Sequence, residues 1–239
     1  MSEFIKKYYD EMVEELQGIV RIKSVEDYPT ASAARPFGDG PGEVLECTLA
    51  LCERLGMRTT NMDGYVGYAE YGEGEEMIAL LAHLDVVPEG DLDQWNYPPY
   101  SATLKDGRVY GRGASDNKSP AIASIYSVKA RMDEGIEFNK RVRVIFGANE
   151  ESGFKCMEHY VKHAEIPTMG FTPDAMFPIT HGEKGITQAN AFALRAAYAS
   201  RRHSPSYTTL SHRTNYFDTR GSTPSLREIK KASTQADLY

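Results

Sequence analysis

Six side chains in this 239-residue sequence have types and positions suited to metal chemistry: His83, Asp85, Asp116, Glu150, Glu151 and Asp174. Neutral imidazole is a good ligand for a divalent ion, and a nearby carboxylate can fix its tautomer and orientation. One imidazole and three or four carboxylates can hold two ions if one carboxylate bridges them. Such mixed ligation suits zinc, with manganese or cobalt as alternatives. Two ions roughly 3.5–4 Å apart can activate a shared water and polarise a carbonyl. A free carboxylate beside that water can take its proton and pass it to a leaving amine. The set therefore suits hydrolysis of an amide.

What joins these residues is where they fall relative to the regular elements. Met77-Ile78-Ala79-Leu80-Leu81-Ala82 is an unbroken apolar run and reads as a strand buried on both faces. His83 and Asp85 stand at its end. In open α/β sheets, ligands bind beside the carboxyl ends of the strands. Asp116 lies in Gly111-Arg112-Gly113-Ala114-Ser115-Asp116-Asn117-Lys118-Ser119-Pro120, just before a helix with Ala121, Ile125, Val128 and Met132 on one face. Helix capping is the plainer use of an aspartate there. Glu150 and Glu151 follow a second buried strand, 142–148, at the start of a helix to about Ala164, where helix-dipole stabilisation is the plainer use. Asp174 ends a short extended segment, 169–173.

The remaining elements complete an α/β pattern. A helix is expected over Ser2–Gly18, a loop over 22–41 and a second helix over Gly42–Leu55. Strands at Tyr65–Tyr71 and Met77–Ala82 flank Gly72-Glu73-Gly74, which reads as a hairpin turn. A second hairpin is expected at 102–104 and 108–110. In the long loop 89–101, Trp95 reads as a packing anchor. His159 and His163 form an i,i+4 pair on what reads as a solvated helix face.

A net charge of −7 gives no support to nucleic-acid binding and is compatible with cations. Cys47, Cys52 and Cys156 are too few and scattered for a disulfide framework and read as buried free thiols. The start resembles no signal peptide, and no apolar stretch approaches the roughly 20 residues that span a bilayer. A cytoplasmic protein with no membrane partner is expected. Nothing in the sequence fixes its oligomeric state.

The stretches His83 to Pro88, Gly111 to Pro120, Asn149 to Gly153 and Thr172-Pro173-Asp174-Ala175, with the later Gly182-Glu183-Lys184-Gly185, match one known family in order and spacing. The chain resembles the dinuclear-zinc peptidases and aminoacylases, particularly bacterial dipeptidases of the dipeptidase V type. The resemblance implies a mixed sheet flanked by helices, two Zn2+ ions and a small peptide substrate. It further implies His83 and Asp174 on one ion, Glu151 on the other and Asp116 as the bridge. Glu150 would be the general base and Asp85 the carboxylate that orients His83. An N-acyl or N-succinyl amino acid deacylase of the same family is the alternative, and a non-catalytic metal-binding fragment is another.

The resemblance runs to about Ile186. Residues 187–239 hold eight Lys and Arg against three Asp and Glu, a charge of +5, which leaves −12 for residues 1–186. This Ser/Thr-rich basic tail matches neither the family's lid domain nor the returning segment with its final histidine ligand. The expected organisation is therefore an incomplete catalytic domain at 1–186, without a lid, followed by a frameshifted or disordered 187–239. An incomplete site would also put the chain's own activity in question.

Overall fold

The structure, a computed structural model, describes residues 3–175. The stretch 182–185, the boundary at 186 and the tail 187–239 lie outside the described residues. Seven strands and five helices occur among the described residues, with short single turns between them. The strands are β1 (Arg58–Met62), β2 (Val66–Tyr71), β3 (Met77–His83), β4 (Thr103–Lys105), β5 (Arg108–Tyr110), β6 (Arg141–Gly147) and β7 (Met169–Phe171). The helices are α1 (Glu3–Lys6), α2 (Tyr9–Val20), α3 (Asp39–Arg54), α4 (Ser119–Asp133) and α5 (Lys155–His163).

The main sheet is mixed, in the order β1-β2-β6-β3-β7. Its two most apolar strands, β3 and β6, lie side by side and parallel, from Met77 opposite Arg141 to His83 opposite Gly147. Six of the seven β6 residues are buried, as a central strand covered on both faces requires. Successive side chains on β2 show the two covers. Gly67 faces α3, where an added Cβ would stand 2.8 Å from Leu49, and Tyr68 faces α5, where its ring packs edge-on against Tyr160. Helices therefore cover both faces of the sheet.

Several boundaries and one pairing differ from the sequence reading. Gly72-Glu73-Gly74 does not close a hairpin: β6 lies between β2 and β3, antiparallel to the first and parallel to the second. The hairpin partner of β2 is β1, whose Arg-Thr-Thr-Asn-Met sequence is mostly exposed and lacks the apolar signature of a strand. Asp63 and Gly64 make that turn with φ of 55° and 72°, and Asn61 Oδ1 accepts the Gly64 N–H at 2.8 Å. An added Cβ on Gly64 would lie 2.0 Å from the Ala34 carbonyl oxygen, so the position demands glycine. The first helix breaks after Lys6, and its second part continues past Gly18 to Val20. Helix α3 starts three residues early, at Asp39, because Pro41 in its first turn has no hydrogen bond to lose. Cys47 is exposed, whereas Cys52 and Cys156 are buried. Among the described residues, no helix is long and apolar enough to cross a membrane.

Candidate metal centre

The parallel register of β3 and β6 puts His83 and Gly147 level at the carboxyl edge of the sheet. His83 is 3 % exposed. Its Nδ1 lies 3.0 Å from the Asp85 backbone oxygen and 3.5 Å from the Asp85 carboxylate. A carbonyl oxygen only accepts, so Nδ1 carries a hydrogen, and loss of the ring's other proton would leave the lone pair on Nε2. That nitrogen faces Asp116 Oδ1 at 3.0 Å, Asp174 Oδ2 at 3.4 Å and Glu150 Oε2 at 3.8 Å.

The carboxylate of Asp85 also reaches the turn that follows β6. Its Oδ1 accepts the Glu150 N–H at 3.0 Å and its Oδ2 accepts the Glu151 N–H at 2.9 Å. Asn149 braces the other end of this turn, accepting the Lys155 N–H on Oδ1 and donating from Nδ2 to Glu26. Glu150 and Glu151 thus sit in a turn ahead of α5, which begins only at Lys155, and not in its first turn. The carboxylates are placed by backbone hydrogen bonds rather than by a helix dipole.

Asp116 lies in the irregular turn Ala114–Lys118, with φ −118° and ψ 101°, and its side chain makes no capping bond to α4. Its carboxylate, 68 % exposed, turns to His83 instead. Two neighbours escaped the sequence reading. Asn117 is buried against the site. Lys118 is fully buried and donates to the Ile19 and Ile22 carbonyls at 2.9 and 3.0 Å, tying the site loop to the end of α2. Burial draws its amine down to about 7, with Asp85 opposing. Nothing in their types marked either residue, because their partners lie far away in sequence.

Two overlapping groups result: His83 with Asp116 and Glu151, and His83 with Glu150 and Asp174. Within each, one potential ligand atom per residue lies within 4.8 Å of the others. Burial raises the Glu150 and Glu151 carboxyls, and neighbouring carboxylates add to the effect. For His83, burial is the largest influence and works against a proton. The Asp85, Asp174 and Glu150 carboxylates nevertheless outweigh it and hold the ring at about 9. Among the described residues, no Lys or Arg pairs with Asp116, Glu150, Glu151 or Asp174. Crowded carboxylates around one imidazole, with no Lys or Arg among them to offset their charge, fit divalent ions.

Trp95 stays on the loop rather than in the site. Its Nε1 donates to the Glu89 carbonyl at 2.9 Å, and the Arg112 guanidinium lies over its ring. His159 is less solvated than its helix face suggested, because its ring stacks on Tyr65 and meets Asp63 at 3.1 Å. His163 is exposed.

Comparison with known proteins identifies the family. A match to Peptidase family M20/M25/M40 covers residues 79–234. The Bacillus subtilis (strain 168) protein named "Putative dipeptidase YtjP" is 47 % identical over 188 residues, which is 79 % of this chain and 40 % of that protein. A Staphylococcus epidermidis (strain ATCC 12228) protein named "Putative dipeptidase" is 40 % identical over 186 residues, covering 78 % of this chain and 39 % of that one. The chain thus spans about 40 % of the length of these curated relatives. Human carnosine dipeptidase 1 superposes with a TM-score of 0.59 at 24 % identity, over 78 % of this chain and 42 % of that chain. The Saccharomyces cerevisiae di-peptidase Dug1p gives 0.59 at 16 % identity over the same shares. At these identities the structural likeness is one of fold.

Proposed function

The chain belongs to peptidase family M20/M25/M40, and from that membership we propose that its carboxyl-edge site performs metal-dependent hydrolysis of dipeptides. The observation that carries the reading is the convergence of three carboxylates from three separate segments on one imidazole nitrogen. Two divalent ions, zinc by preference, would supply polarisation of the scissile carbonyl and acidification of the attacking water. His83 and Asp174 would hold one ion and Glu151 the other, with Asp116 between them. The proximity of Asp116 to both His83 and Glu151 supports that division.

The chain's own residues then divide the remaining work. Glu150, which borders the site without a fixed partner other than His83, takes the proton of the attacking water and delivers it to the leaving amine. Burial raises its carboxyl, which brings a base closer to the pKa such transfer needs. Asp85 fixes the backbone of both glutamates, and its carbonyl fixes the His83 tautomer. The names of the related proteins favour a dipeptide as substrate. Buried free Cys52 and Cys156 are compatible with a reducing, cytoplasmic setting.

Elemental analysis of the purified chain, paired with hydrolysis of a panel of dipeptides and N-acyl amino acids, tests the proposal. Two ions per chain with cleavage of dipeptides are expected. Cleavage confined to N-acyl or N-succinyl amino acids would make it a deacylase. Bound metal without turnover of either class would leave a metal-binding chain. Metal content near zero would remove the proposal altogether.

A further inference from the structure

The ladder between β3 and β7 stops at Leu80 opposite Phe171. Continued in the same register, it would set Ala82 beside Pro173 and His83 beside Asp174. Backbone pairing is not continued past Phe171, and Thr172 and Pro173 lead from the end of the ladder to Asp174. A side chain from a third segment occupies the junction. Asn117, 1 % exposed, accepts the His83 backbone N–H on Oδ1 at 3.3 Å. Its Nδ2 donates to Asp174 Oδ1 at 2.8 Å and to the Pro173 carbonyl at 3.4 Å. The second oxygen of Asp174, Oδ2, is the one that faces His83 Nε2 at 3.4 Å.

We infer that Asn117 is a positioning residue for the metal centre. Its carboxamide takes the place of the missing ladder and holds Asp174 with Oδ1 engaged and Oδ2 presented to the ion. The chemistry of the amide matches the demand: one end must accept from a backbone N–H while the other donates to a carboxylate. A carboxylate there could accept but not donate, and it would add a further negative charge to the carboxylates already around His83. An apolar residue could do neither and would strand the buried His83 N–H. Asp116 and Asn117 thus divide one short turn between them: Asp116 presents its own carboxylate to His83, and Asn117 sets the carboxylate of Asp174.

This inference rests on the metal-centre reading, so the wild-type chain is measured first. Zn2+ and Co2+ affinities come from chelator competition, and the Co2+ visible spectrum reports the ligand field. Asn117→Ala and Asn117→Asp are compared with wild type, and Asn117→Ala is also placed in an Asp174→Ala background. Loss of an outer hydrogen-bond partner typically lowers metal affinity about 10–100-fold. A loss of that size in both single variants is expected, with an altered Co2+ spectrum and no further loss from Asn117→Ala once Asp174 is gone. Asn117→Asp keeps the volume and the acceptor for His83, so it decides the matter if Asn117→Ala does not fold. Wild-type or tighter affinity in Asn117→Asp, or full additivity with Asp174→Ala, would overturn the role of Asn117 alone. A wild-type chain that binds no ion would instead overturn the metal centre itself.

Discussion

Asp85 accepts the backbone N–H of Glu150 across 65 residues of sequence, at 3.0 Å, while its other oxygen holds Glu151. One buried carboxylate at the end of β3 therefore sets the turn that follows β6. Replacing it by alanine leaves two backbone donors without partners, at a cost of about 1–3 kcal/mol for each buried group. Asp85→Ala should lower stability and loosen both glutamates together. Asp85→Asn keeps one acceptor and turns an amide N–H2 toward the other donor. Its metal affinity should fall about 10–100-fold with a smaller stability loss. Chelator competition and urea unfolding of both variants measure the two effects, and wild-type affinity in Asp85→Asn would contradict the argument.

Glu150→Gln separates base chemistry from metal retention. The amide keeps the size of the side chain and the backbone bond to Asp85, but it takes no proton. Metal content should stay at the wild-type value while dipeptide turnover falls by about 10²–10⁴-fold. Elemental analysis and a turnover assay on one preparation provide the check. Equal turnover would remove Glu150 from the proton-transfer role.

The core of this arrangement could be read from single segments, because periodicity and strand ends are local signals. Met77–Ala82 announces a strand buried on both faces, and the structure makes β3 an interior strand next to β6. Pairing is not local. Glycines after β2 suggested a return to β3, yet β6 intervenes, and there Arg143 of β6 stands opposite Glu70 of β2. The polar sequence of β1 hid a strand because an exposed edge needs few apolar residues. Asp116, Glu150, Glu151 and Asp174 were visible as carboxylates at element ends. Asn117 was not, since its value comes from partners 34 and 57 residues away.

Proton competition gives the centre a definite pH dependence. In the ion-free chain the surrounding carboxylates, working against burial, hold His83 protonated up to about pH 9. An ion takes the Nε2 lone pair only after that proton leaves, so binding releases a proton below that pH. Apparent affinity should rise by about tenfold per pH unit toward pH 9 and level off above it. The raised carboxyls of Glu150 and Glu151 steepen the acid end of the profile. Competition titrations across this range, with calorimetry in two buffers of different ionisation enthalpy, read both the slope and the released proton. A flat profile would show that no proton leaves His83 when the ion binds, and would overturn the raised state of the ring.

The cross-strand pair of Glu70 and Arg143 makes a different kind of prediction, about stability and its asymmetry. Arg143 is 5 % exposed and donates to Glu70 Oε2 from Nε and Nη2 at 2.9 and 2.6 Å. Its remaining contacts are the Tyr160 hydroxyl and the face of Tyr68. Glu70, by contrast, also meets Arg58 at 3.2 Å and Arg141 at 3.6 Å. Glu70→Leu strips a buried guanidinium of its hydrogen-bonded carboxylate and should cost about 3–5 kcal/mol, the usual penalty for breaking a buried pair from one side. Arg143→Leu leaves Glu70 two other cations and should cost less, about 1–3 kcal/mol. The double variant removes both charges and should recover part of the Glu70→Leu loss, because replacing a whole buried pair is often close to neutral. Urea midpoints measured with chelator present keep metal binding out of the comparison. Equal losses in the two single variants would mean that Arg58 and Arg141 do not support Glu70.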